Sequence, residues 1–271
     1  MSLYLIPLFL IFFTTLFSCN QPQSAQENSP IVTAVYPSSD TLPENLLRMY
    51  IQFSAPMKTT GNLERIQLID QWGNEVKGAI FNNVYELWDS EQKQLTLLFD
   101  PGRVKTGLIA HETMGRALKV GHSYQLRIKD VEDIHHQKLA YDFKKKFFIT
   151  KADTVFPDLT QWKPVVPPAN GRSPLILEFP QMIDQMSLRN RLVITHSQGK
   201  RIPGSIQLGL HEQSWKFTPK EAWKTGEYLV YVNSRLEDPA GNNINGLFDH
   251  KIGSLNMLKE GQTLSLSFSV K

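Results

Sequence analysis

Thiols are almost absent from this chain: of 271 residues one is a cysteine, Cys19. It stands at the end of an apolar leader, so the remainder can build no disulfide, no thiolate metal site and no cysteine nucleophile. Each folded unit must therefore rest on its apolar core, which about 120 residues can supply. Excess charge is lacking as well. Lys and Arg total 29 against 26 Asp and Glu, and a net charge of +3 is too small to imply a nucleic-acid partner. No stretch longer than about two turns keeps a clean 3.6-residue period, which excludes long helices.

Catalytic motifs are missing too. His111-Glu112-Thr113-Met114-Gly115 begins like H-E-x-x-H, but Gly115 stands where the second zinc ligand would be, and His211-Glu212-Gln213-Ser214-Trp215 fails in the same way. His135 and His136 are adjacent, so on a strand they would point to opposite faces; they read as turn residues. There is no G-x-S-x-G elbow, P-loop or dinucleotide fingerprint. Asp238–Asn243 stacks oxygen ligands around a glycine, yet lacks the alternating spacing and closing Glu of a calcium loop. A β-turn with Asn242 in a left-handed conformation accounts for it. The expectation is a protein without catalytic residues, cofactor or metal.

What the chain does contain is an echo of itself. Phe53, Gly73, Val76 and Gly78 return at one offset of 126 as Phe179, Gly199, Ile202 and Gly204. Leu97-x-Phe99-x-Pro101 returns as Trp215-x-Phe217-x-Pro219, and Tyr124 with Glu132-Asp133 returns as Tyr228 with Glu237-Asp238. A period this long means two copies of one domain. Strict alternation runs through both: Leu47, Met49, Ile51 and Phe53 on one face, with Arg48, Tyr50 and Gln52 on the other, and likewise Leu175-Leu177-Phe179, Tyr228-Val230-Val232 and Leu264-Leu266-Phe268-Val270. Period two means strands buried on one face. Gln71-Trp72-Gly73-Asn74 and Ser197-Gln198-Gly199-Lys200 read as hairpin turns. These features predict an all-β chain of two tandem sandwiches, 31–150 and 151–271. A proline-rich boundary lies in 151–172, and the second copy's first strand falls near Trp162.

Tyr36-Pro37, Ile51-Gln52-Phe53-Ser54-Ala55-Pro56-Met57, Gly73-Asn74-x-Val76-x-Gly78 and Asp238-Pro239-Ala240-Gly241-Asn242 occur in an order that resembles the bacterial Ig-like domain of the S-layer-protein type, twice over. The resemblance implies Ig-like sandwiches on a secreted or envelope protein. The first eighteen residues carry no charge and form an apolar run too short to span a membrane comfortably, which reads as a signal peptide at 1–18. Leu16-Phe17-Ser18-Cys19 resembles a lipoprotein lipobox, implying acylation of Cys19, a flexible tether over 19–30, and a bacterial envelope location at the outer membrane. Two or three acyl chains would hold the remaining chain stably, where one would hold it only reversibly.

One segment breaks the repeat. Pro101 to Tyr124 spans 23 positions where Pro219 to Tyr228 spans 9. This insert, 102–120, carries Arg103, Lys105, Arg116 and Lys119 against Glu112. It is either a basic loop for an anionic partner or a brace folded over the domain junction. Of the five tryptophans, Trp72 and Trp88 are candidates for stacking on a sugar; the others read as core or junction packing. The function expected is non-catalytic display or adhesion by an envelope lipoprotein held to the membrane by its lipid. The alternative is an envelope ligand-binding protein that recognises a glycan or other anion through the junction and the insert. A copper-carrying sandwich fits less well, because an acylated Cys19 would replace a free N-terminal histidine.

Overall fold

The computed structural model describes residues 29–82, 85–250 and 262–271. The apolar leader, Cys19 and the tether up to residue 28 lie outside them. Copy one consists of β1 (Val32–Tyr36), β2 (Thr41–Pro43), β3 (Arg48–Phe53), β4 (Ile66–Asp70), β5 (Leu87–Trp88), β6 (Gln94–Leu98), β7 (Ser123–Ile128) and β8 (Phe143–Thr150). Copy two consists of β9 (Lys163–Val165), β10 (Leu175–Glu178), β11 (Leu192–His196), β12 (Gly204–Leu208), β13 (Ser214–Pro219), β14 (Gly226–Asn233) and β15 (Thr263–Val270). In space the first copy forms sheets β1-β3-β6-β5 and β2-β8-β7-β4, and the second β9-β10-β13-β12 and β11-β14-β15. With β2 set aside, that is the four-plus-three arrangement of an immunoglobulin sandwich, once per copy. The short β2, which runs parallel to β8, has no partner in the second copy.

The repeat holds hydrogen bond for hydrogen bond. Asp70 N donates to Asn74 O, and Val76 N to Leu68 O; at an offset of 126, His196 N donates to Lys200 O and Ile202 N to Ile194 O. Both turns are closed by a glycine at positive φ, Gly73 at 90° and Gly199 at 85°, where a Cβ would be strained. Tyr124 and Tyr228 sit at the start of the strand that carries the tyrosine corner of Ig folds, and both are buried. The inward rows meet in two cores. One is built on Ile51, Phe53, Leu97 and Leu126, the other on Leu177, Trp215, Phe217 and Val230. Trp162, just before β9, is buried against Phe179 with ring centroids 4.6 Å apart.

Two local readings change. The outer face of β3 is not solvated: Tyr50 is 3% exposed, because the second copy docks on it. The left-handed residue of the 238–242 turn is Gly241 (φ 81°) rather than Asn242. Asn242 is instead buried, bonding Asp238 through its amide. In copy one the same turn is made without glycine: Asp133 Oδ1 accepts from His135 N and Gln137 N, and His136 takes the positive φ of 61°. The insert folds as two short helices, α1 (Pro101–Val104) and α2 (Ile109–Met114), and a third helix, α3 (Gln185–Asn190), follows β10. Asp100 accepts from Gly102 N at the start of α1, and Asp184 from Ser187 N at the start of α3.

Candidate functional site

A dense polar cluster lies where the copies meet. Strand β3 offers Arg48 and Tyr50 from its outer face. Copy two answers with Asp184 at the start of α3 and Glu237 in the loop after β14. Tyr50 Oη donates to Asp184 Oδ2 at 2.8 Å, and Arg48 pairs with Glu237. Backbone joins in, Leu47 N donating to Pro239 O at 2.9 Å. Gly241 packs so close to Leu47 that a Cβ there would lie 2.6 Å from the leucine Cδ2. On one flank Gln94 contacts Gln185 and the Met186 sulfur. On another, Glu212 Oε2 accepts from Ser38 N at 2.9 Å. Asp153, between the copies, is held by Asn45 and by Asn242.

Burial governs the electrostatics. It pushes the carboxyls of Asp184, Glu237 and Glu212 above the usual range, against the pull of Arg48 on the first two and of the Ser38 hydrogen bond on the third. Asp238 is pushed well above that range, by burial and then by the nearby Asp153. Burial and Asp184 also raise the Tyr50 phenol. Burial opposes the charge on Arg48, but Tyr50, Glu237 and Asp184 together outweigh it and hold the guanidinium charged.

The insert reaches this same boundary. Arg116 reaches across it, 2.7 Å from Asp249 Oδ2 of copy two and 2.7 Å from Glu44 Oε1 of its own copy. Asp249 also accepts from Thr106 N and Oγ1, both at 2.8 Å. Lys105 Nζ stands 5.6 Å from the centre of the Phe248 ring. Arg103 is buried and turned inward within copy one, donating to the carbonyls of Gly115 and Gly78 at 2.8 and 2.9 Å. Of the four cations only Lys119 is exposed. Of the insert's two arginines it is thus Arg116 that pairs with a carboxylate across the junction. Beside the junction opens a cleft of about 460 Å³, lined by Gln52, Asp89 and Lys93 from one copy and by Met186, Arg189 and Asn190 from the other.

The two tryptophans fall apart. Trp88 packs on the first core, 5.6 Å from Phe53, and its indole N–H donates to Glu86. Trp72 is 66% exposed at the tip of its hairpin, with its ring edge-on to His122. Among the described residues no group of three or more His, Cys, Asp or Glu is placed to hold a metal ion, and no helix is long and apolar enough to cross a membrane.

No family model and no curated protein sequence matches the chain. Among solved structures it is similar to CopC from Methylosinus trichosporium OB3b, at 14% identity over 47% of this chain and 99% of that one, with a TM-score of 0.30. It is similar to the N-terminal part of the bacterial S-layer protein SbsC, at 10% identity over 90% of this chain and 44% of that one, with a TM-score of 0.30. A fragment of Escherichia coli alpha-2-macroglobulin spanning domains MG0-NIE-MG1 is similar at 10% identity over 92% and 73% of the two chains, with a TM-score of 0.29. These are distant likenesses between β-domain proteins and reach no further than that; the Ig-like assignment here rests on the chain's own strand order.

Proposed function

We propose that the chain is a non-catalytic cell-envelope lipoprotein that presents two Ig-like modules as one stiff unit on a lipid tether. The observation that carries this reading is the junction. Side-chain bonds from residues 48, 50, 94, 106 and 116 of copy one, and the backbone N–H of residue 38, meet partners in four separate segments of copy two. Adjacent domains joined only by a linker are expected to move relative to one another, and so many polar anchors oppose that motion. A stiff pair suits display or spacing, since the far module then stands at a set height and angle from its anchor. The anchor itself is tested by labelled palmitate and membrane fractionation. Cys19→Ser should lose the label and leave the membrane pellet; a variant that remains there would make residues 3–18 an uncleaved anchor.

The junction cleft supports a second reading, in which copies and insert together hold a ligand. The Arg116–Asp249 and Thr106–Asp249 bonds engage much of the insert's polarity within the protein, so the display reading is the stronger of the two.

A further inference from the structure

The outer face of the β2-β8-β7-β4 sheet carries a row of cations that no described residue neutralises. In the ladder Arg127 of β7 lies directly opposite Lys144 of β8, and Gln125 opposite Lys146. Like charges facing across strands destabilise a sheet. None of the three cations has an ion-pair or hydrogen-bond partner among the described residues. The Arg127 Nε–H is in addition buried without an acceptor, a donor that would ordinarily be satisfied. Lysines on an open edge can be explained as protection against strand pairing. Arg127 is on a strand paired on both sides, so that explanation does not cover it.

At the other end of the same face lies a hollow of about 600 Å³. Its walls include Phe148, 43% exposed, together with Asp40, Asp70, Gln125 and Lys146. Exposed Trp72 belongs to the hairpin that supplies Gln71 and Gly73 to the wall. From Phe148 to Lys144 the strand runs about 13 Å at its usual rise per residue. Aromatic faces beside carboxylates and amides suit the apolar faces and hydroxyls of sugars, while the cation row suits acidic substituents. An anionic lipid surface fits less well, because Asp40 and Asp70 stand beside the aromatic groups that would enter it. We infer that this face of copy one, from Phe148 to Arg127 and Lys144, is a binding site for an acidic polysaccharide bearing carboxylate, sulfate or phosphate groups. The inference goes beyond display and stands without the lipid anchor, since residues of copy one alone carry it.

Calorimetric titration of the full-length protein in non-ionic micelles tests it, with polygalacturonate, dextran sulfate and unmodified dextran as probes. Micelles doped with phosphatidylglycerol give the lipid arm. At least one acidic polymer should bind, and neutral dextran more weakly. Lys144→Glu and Phe148→Ala should each weaken binding about tenfold, whereas Lys200→Glu, the same charge change in copy two, should leave it unchanged. Lys144→Glu should also keep or raise the melting temperature, because it removes a like-charge pair. The site is overturned if neither acidic polymer binds or if Phe148→Ala has no effect. It is overturned equally if Lys200→Glu costs as much as Lys144→Glu, or if phosphatidylglycerol binds while both acidic polymers do not.

Discussion

The Tyr50 hydroxyl and the Asp184 carboxylate meet at 2.8 Å across the boundary between the copies, and both residues are buried. Asp184 also caps α3 through Ser187 N, so one carboxylate orders a helix of copy two and grips a strand of copy one. Tyr50→Phe leaves that carboxylate short of a donor in a buried place. The expected cost is about 1–3 kcal/mol, read from chemical denaturation, with little change in far-UV circular dichroism. An unchanged midpoint would mean that the copies do not depend on this contact.

The same carboxylate sets a pH dependence. Burial raises its pKa in the folded protein, so the folded state holds the proton more tightly than the unfolded chain does. The stability this gives is fully present below the ordinary carboxylate range, near pH 4, and is lost as pH rises through the raised folded value. Asp184→Asn preserves the shape and removes the titration. Relative to wild type the variant should therefore gain stability as pH rises from 4.5 to 7.5. A constant difference between the two proteins over that range would contradict the assigned shift.

Gly241 joins conformation to packing. Its φ of 81° disfavours any side chain, and a Cβ would meet Leu47 at 2.6 Å. Gly241→Ala should lower stability by at least about 1 kcal/mol from the backbone strain alone. Adding Leu47→Ala should not recover that loss, since the strain remains. Full recovery in the double variant would show that the clash was the whole effect.

In the second core, Phe179 packs on Trp162 and is 6% exposed. Phe179→Ala should cost about 3–5 kcal/mol, the usual price of deleting a core aromatic ring. Thermal unfolding measures it; a loss near zero would break the equivalence with Phe53 on which the repeat rests.

Much of this was legible in the residues, for physical reasons. Alternation marks a strand with one buried face, and a hairpin glycine at positive φ leaves a signature, so the Phe53–Phe179 repeat located both sandwiches. The junction was not legible. Arg48, Tyr50 and Gln52 alternate with core residues just as a solvated face would, and a polar face gives no sign that another domain covers it. Asp184 lies outside every motif, and its role depends on a strand 134 residues away. The insert's helices, six residues at most, are too short to show a helical period. Arg103 and Arg116 are indistinguishable by composition; which of them crosses the boundary is decided by Asp249, far along the chain. The cation row emerged only from register, because nothing in the sequence places Arg127 opposite Lys144.

The central claim is that the junction makes the two copies one stiff body, and pulsed dipolar spectroscopy reads that directly. In a Cys19→Ser background, nitroxides at Glu64→Cys and Glu221→Cys, both exposed and one in each copy, report the distance between the modules. A single narrow distribution is expected, broadening when Arg116→Ala and Tyr50→Phe are combined. A broad or multimodal distribution in the otherwise unaltered protein would contradict the account.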